Sequence, residues 1–375
     1  MKSDSAAMHR HGPGNSFSTI CETCESCTTG NHVLAGKSVK SHEEGAMADD
    51  HGDWTFLHVN DSHMGSARSY RFRPAINQRW AAIKAQMAAV PADLLLHGGD
   101  LTRDGQTHEF EIAQARQDLE TIPFPAHVIP GNMDVGNKHT QVNGAKKRWD
   151  PQGLGWHDPD LNMTAERLDL FARYFGDLQW SFIHKQVRFT GFYAALAGTG
   201  LPQEEVFWEF MQSLPDLPTA RHHVAVMHYW LFMEDPQEKD WDLTDEEEYD
   251  NWYFSISPPY RQQVWDILQA SGVEILFCGH VHTGRPVQEV DGIRIYRTQA
   301  AGNTAQLTDR WEQVDTRFGF HRCEVTDQGI EVAFVLGDDQ CEEFGTYGPL
   351  GHPPVEQRDY SVAREQPPIT PDACH

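Results

Sequence analysis

The sequence predicts an α/β fold of two packed mixed β-sheets flanked by helices, an αββα sandwich. Three observations predict it. From residue 54 onward, runs with strand character alternate with segments of helical spacing. Five of the apolar runs finish in a polar residue able to bind metal or phosphate; in layered α/β folds ligands bind there, outside the carboxyl ends of the strands. Five further strand-like segments are more than one simple parallel sheet accommodates, and two sheets suit the number better.

Trp54–Asn60 is a β-rich run that ends at Asp61. Ala75–Ala89 has helical spacing with Pro74 near its start, where proline's missing N–H is harmless. Asp93–His97 is a short apolar run ending at Gly98-Gly99-Asp100, Thr107–Glu120 reads as a helix, and Ala126–Ile129 as a strand ending at Pro130-Gly131-Asn132. His223–Met227 is a strand ending at His228. Pro259–Ala270 is a helix, and Glu274–Cys278 a strand ending at Gly279-His280. Trp180–Ile183, Val187–Tyr193, Ile293–Arg297, Phe318–Val325 and Ile330–Leu336 complete the strands. Residues 1–52 are rich in Ser, Gly, His and Glu without hydrophobic period and read as a tail. Residues 53–337 form the main domain. Residues 338–375, with Pro353-Pro354, Pro367-Pro368 and Pro371 among charges, read as a second tail.

An apolar content of 39% suffices for a core. No run approaches the roughly 18 apolar residues of a membrane span, so no membrane partner is expected. No apolar stretch follows Lys2 in the manner of a secretory signal. The seven cysteines are odd in number and uneven in spacing, which does not read as a disulfide framework and points to a reducing, cytoplasmic compartment. A formal net charge of −25 repels polyanions and disfavours nucleic acid as a partner.

The residues at the strand ends are Asp61-Ser62-His63, Gly99-Asp100, Gly131-Asn132-Met133-Asp134, His228 and Gly279-His280-Val281-His282. Imidazole, carboxylate and amide oxygen together suit Zn, Mn, Fe and related ions. In an extended Asp-x-His or His-x-His segment, residues i and i+2 point to one side and can reach one ion. The glycines at 99, 131 and 279 permit turns that bring side chains inward. A lone histidine at a strand end is more often packed or solvated than a ligand, and an Asp after Gly is usually a turn; all these positions in order favour the ligand reading. His58, His97, His222 and His223 are read as packing residues.

In that order the motifs resemble the calcineurin-like metallophosphoesterase superfamily of binuclear metal phosphoesterases. The resemblance implies that Asp61, His63 and His282 bind one metal ion, that Asn132, His228 and His280 bind the other, and that Asp100 bridges them. It implies two ions, with Mn, Fe or Zn the leading identities, and catalytic roles for Asp100, Asn132 and Asp134. A hydroxide bridging the ions would attack phosphorus, so the expected partner is a phosphate-ester substrate, either a monoester or a diester. Many members read Gly-Asn-His-Asp or Gly-Asn-His-Glu, and that His is thought to help protonate the leaving group. This chain has Met133 there, and a thioether has no proton to give. His139 is a possible substitute, and Asp134 also reads as a helix or turn cap. A second reading follows from Met133: a catalytically weak or inactive interaction scaffold of the same fold. A nuclease is a third, against which the acidic charge counts. The run Asp134-Val135-Gly136-Asn137 and the aromatic stretch Trp252-Tyr253-Phe254 also look similar to calcineurin-like proteins described as serine/threonine phosphatases, from which no phosphoprotein substrate is inferred. Glu234–Asp250 is densely acidic and reads as a solvated loop or a lid. Cys21, Cys24 and Cys27 lack the fourth ligand of a closed zinc site unless His32 joins them.

Overall fold

The computed structural model describes residues 52–66, 72, 74–138, 162–243, 245–302 and 311–338. The two expected tails except for Gly52 and Asp338, the Cys21-Cys24-Cys27 run and His139 lie outside the described residues. Strand β1 (Trp54–Val59) is buried along its whole length because both of its faces are covered. Trp54 and Phe56 point into one core with Phe189 and Phe277, while Leu57 and Val59 point into another with Trp80, Ile83 and Met87 of helix α1 (Pro74–Ala88). A strand buried on both sides reads as a near-continuous apolar run.

Two sheets form. In the first, β1 pairs in parallel with β2 (Leu95–His97), which pairs in parallel with β3 (Ala126–Val128). On its other side β1 pairs antiparallel with β10 (Gly319–Thr326), and β10 with β11 (Gly329–Leu336). The second sheet runs β4 (Trp180–His184), β5 (Val187–Gly191), β6 (His222–Met227), β7 (Ile275–Cys278), β9 (Ile293–Arg297), β8 (Gln288–Val290), parallel from β5 to β9 and antiparallel at both edges. Inner faces meet through residues such as Phe56 and Phe189, whose rings pack edge-on at 5.0 Å. The expected mixed two-sheet sandwich is the observed architecture.

Helices α1, α2 (Glu109–Leu119), α4 (Ala165–Phe175), α5 (Pro202–Ser213) and α7 (Tyr260–Ala270) contribute buried side chains to the outer cores. The one-turn α3 (Asn132–Val135) follows β3, and α6 (Glu246–Phe254) begins in the last residues of the acidic segment and runs past it. That segment is therefore partly helical rather than only a loop. Helix α4 carries clear local signals: the Thr164 hydroxyl accepts from Arg167 N at 3.3 Å, and Gly176 at φ 90° ends it. Cys278 and Cys323 are buried free thiols. No helix among the described residues is long and apolar enough to cross a membrane.

One polar group sits unsupported between the sheets. His58 is fully buried, stacks on Phe277 at 4.2 Å, and neither ring nitrogen has a hydrogen-bond partner. Burial, then the charges of His321 and His97, hold its pKa well below the ordinary value. Burial likewise pulls His321 down to about 4. Each is neutral in the fold yet protonated in the unfolded chain once pH drops below about 6.5. Their contribution is therefore complete above about 6.5 and lost as pH falls toward the folded values. Thermal melts should show stability declining from about pH 6.5 downward. His58→Leu, which removes an unpaired polar group, should gain about 1 kcal/mol or more at neutral pH and flatten the decline. A less stable His58→Leu with an unchanged pH slope would refute this account of His58.

Candidate metal centre

The loops that leave β1, β2, β3, β6 and β7 converge, and they bring all seven expected ligands together. Candidate ligand atoms of Asp61, His63, Asp100 and His282 lie within 4.8 Å of one another, as do those of Asp100, His228 and His280. Asp100 belongs to both groups. Its Oδ2 is 3.5 Å from His63 Nε2 and its Oδ1 is 3.4 Å from His228 Nε2. In the first group His63 Nε2 is 2.9 Å from His282 Nε2, and His282 Nε2 is 3.4 Å from Asp61 Oδ1. Beside the second group Asn132 Oδ1 is 3.2 Å from His228 Nε2.

The backbone reaches this geometry differently from the extended spacing expected. Asp61, His63, Asp100, His280 and His282 all have left-handed φ, of 54°, 47°, 53°, 70° and 59°. Paired side chains meet because both members of Asp-x-His and of His-x-His are turned, not because a pleat aligns them. Left-handed backbone at non-glycine residues is costly and clusters at functional sites. The glycines also divide in their roles. Gly99 takes a φ of 95°, a true turn requirement. Gly131 has extended backbone, and a Cβ there would collide with the Asp100 carboxylate and amide. A Cβ on Gly279 would come within 2.8 Å of Asp61 Oδ2.

Neighbouring groups aim the ligands. The Nδ1 of His228 lies 2.9 Å from Gly98 O, which turns its Nε2 toward Asp100 and Asn132. The Nε2 of His280 lies 3.2 Å from Tyr253 O, which leaves Nδ1 buried and without a partner. Asp61 Oδ2 accepts from His280 N at 3.0 Å and from Asn60 Nδ2, while the buried Oδ1 faces His282 Nε2 at 3.4 Å. Backbone partners of this kind commonly fix the tautomer of ligating histidines. Burial opposes a charge on His228, but the carboxylate of Asp100 outweighs it and pushes the imidazole up to about 9. The buried carboxylates of Asp61 and Asp100 favour positive charge in the site, and Asp61 Oδ1 and the unpartnered His280 Nδ1 are donors of the kind first-row metal ions take. The donor set fits such ions in two positions sharing Asp100.

Asp134 lies behind the ligands. Its Oδ2 accepts from Gly131 N at 2.9 Å and Leu101 N at 3.2 Å; its Oδ1 accepts from Thr102 N at 2.9 Å and Thr102 Oγ1 at 2.7 Å. The carboxylate ties the Asp100 loop to the Asn132 loop. Burial and the charge of Asp100 push it up to about 7, opposed by these donors. Met133 is buried, its amide donates to Asp100 Oδ1 at 2.8 Å, and its sulfur is 3.4 Å from Asn132 Nδ2. His97, expected only to pack, has its Nε2 3.1 Å from the Ser62 hydroxyl, which donates to Leu101 O at 3.0 Å. Three contributors escaped the sequence reading: Asn60, Asn137 and the hydroxyl of Tyr253. The last two contact the Asn132 amide nitrogen at 3.1 and 3.3 Å. A cavity of about 400 Å³, lined in part by Lys138, Trp241, Trp252 and Tyr260, shares no lining residue with the ligand groups.

The human serine/threonine-protein phosphatase CPPED1 is 27% identical to this chain over 219 residues, which cover 52% of this chain and 67% of that protein. Among solved structures, the purple acid phosphatase PPD1 from yellow lupin (Lupinus luteus) seeds superposes with a TM-score of 0.51 at 15% identity, over 78% of this chain and 53% of the plant protein. The chain thus spans about half the length of that phosphatase, and the likeness is one of fold. Residues 55–284, which contain all seven converging candidate ligands, match the calcineurin-like phosphoesterase family. This chain belongs to that family.

Proposed function

We propose that this chain is a metal-dependent hydrolase of phosphomonoesters or phosphodiesters. The observation that carries the reading is the Asp100 carboxylate, common to two groups of N and O donors that are buried except at His282. Asp61, His63, His282 and Asp100 would hold one ion; Asn132, His228, His280 and Asp100 the other. Bound there, two ions would clamp a phosphoryl group and lower the pKa of a water to near neutrality. The chain's own residues supply the rest. Burial of the ligands excludes bulk water and strengthens every charge interaction in the site. The Met133 amide and the Asp134 staple fix Asp100, so Asp134 acts by positioning. The name of the human relative makes phosphoserine and phosphothreonine peptides useful first substrates, alongside small diesters. Met133 favours a second reading, a catalytically weak or inactive scaffold of the same fold.

Three experiments follow from the site. Protein purified without chelator should carry close to two first-row ions per chain, and Asp100→Asn should lose most turnover while keeping its circular dichroism. Chains that bind no metal in any preparation would remove the enzyme reading and leave the scaffold. Asp134→Ala should cost about 1–3 kcal/mol of stability, because it leaves buried donors unpaired, and should reduce metal content as the two loops loosen. A catalytic role would instead appear as an Asp134→Asn variant with normal stability and metal but no turnover.

Met133 makes the third experiment informative. Without an imidazole at that place, turnover should favour aryl esters, whose leaving groups need little protonation, over alkyl esters. Met133→His should raise alkyl-ester turnover, by up to ~10²-fold. An unchanged aryl-to-alkyl ratio would mean that another group already donates the proton.

A further inference from the structure

One residue reaches two ligands of the same half-site by two different atoms. Tyr253 lies in the last turn of α6, where backbone carbonyls lack partners inside the helix. Its carbonyl oxygen is 3.2 Å from His280 Nε2. Its hydroxyl accepts from Asn132 Nδ2 at 3.3 Å and donates to Asn137 Oδ1 at 3.4 Å. Asn132 Nδ2 also donates to Asn137 Oδ1 at 3.1 Å. The ring itself is buried and packs 5.0 Å from the His280 ring. Alongside, the Lys138 ammonium donates to Trp252 O and, at 2.5 Å, to Ser255 O, which anchors the same end of α6 next to Asn137.

These contacts decide which atom Asn132 offers. A carboxamide has one good ligand atom, its oxygen, and a half-turn about its last bond would present NH₂ instead. The two oxygen acceptors, Tyr253 Oη and Asn137 Oδ1, claim the nitrogen, with the weakly accepting Met133 sulfur beside them, and so keep Oδ1 on the His228 side. The tautomer of His280 is fixed from the same residue, through its main chain. Asp61, in the other half-site, is oriented by Asn60 and by the His280 amide.

We infer that Tyr253 is the positioning residue for the metal half-site formed by Asn132, His228 and His280, and that its hydroxyl sets the affinity of that half-site separately from the one formed by Asp61, His63 and His282. The inference rests on the two-ion reading proposed above. It assigns to the end of an acidic helix a role in loading one of two adjacent ions.

The test is a titration of chelator-stripped full-length protein with Mn²⁺, followed by bound-metal analysis and by electron paramagnetic resonance, which separates isolated from coupled manganese. Wild-type chain should bind two ions and develop the coupled signal. Tyr253→Phe keeps the ring and the carbonyl and removes only the hydroxyl. It should bind the first ion unchanged and the second about 10–100-fold more weakly, with isolated manganese persisting at added metal that couples the wild-type site. Asn132→Asp supplies a second oxygen, so side-chain rotation no longer matters. In that background Tyr253→Phe should change second-ion affinity by no more than about twofold, a non-additivity that simple loosening of α6 would not produce. Equal weakening of both ions, unchanged binding in Tyr253→Phe, or full additivity in the double variant would each overturn the inference. A wild-type chain that binds fewer than two ions would instead overturn the two-ion reading beneath it.

Discussion

The position of the Asp100 side chain is the constraint on which the rest of the site depends. One carboxylate has to face His63 and His228 at once, at 3.5 and 3.4 Å. That requires the turn at Gly99, the absence of a side chain at Gly131, the Met133 amide on one oxygen, and the Asp134 bridge that holds both loops. Asp61 adds a second fully buried carboxylate close by. Two such charges in a dry interior are tolerated only with compensation by cations or donors. The surrounding imidazoles and backbone amides provide part of it, and a bound cation would provide the rest.

Holding these residues in left-handed backbone costs of the order of 1 kcal/mol or more at each position. The loops bear it because hydrogen bonding continues beyond the strand ends. Asp61 N donates to Gly99 O, His63 N to Asp100 O and Met64 N to Leu101 O, each at 3.0 Å. Ala301 N donates to Asn60 O at 2.9 Å, and Gly302 N to Asp61 O at 3.0 Å. The ligand-bearing loops therefore behave as extensions of the sheets and inherit their rigidity, which suits a centre whose donors must be preorganised.

Much of this was legible in the sequence because both signals are local. Apolar runs that stop abruptly at Asp, Asn or His mark the strands, and each stop places a candidate ligand. What was not legible arose from tertiary partnership. Tyr253 and Asn137 read as members of short motifs, yet their role depends on meeting Asn132, which lies 121 residues from Tyr253. The left-handed turns at Asp61 and His280 were hidden because Asp and His, though enriched in such backbone, adopt it only in a minority of cases, whereas glycine adopts it freely, as at Gly99. Strand β8 is three residues long at a sheet edge, too short for any alternation to register. Helix α4 went unread although Thr164, Gly176 and the buried Leu168 and Phe171 mark it; its signal lay in the chain, not in the tertiary structure.

Each ligand group draws on both sheets. Asp61, His63 and Asp100 leave the first sheet, whereas His282 leaves the second and is 219 residues from the His63 it faces. The other group joins Asp100 and Asn132 to His228 and His280 in the same way. During synthesis, then, neither ligand set exists in complete form until the ribosome has passed residue 280. The strand that flanks β1 opposite β2 is made later still, at Gly319–Thr326. An ion held by either donor group would therefore be taken up late, once the strands of both sheets have been made.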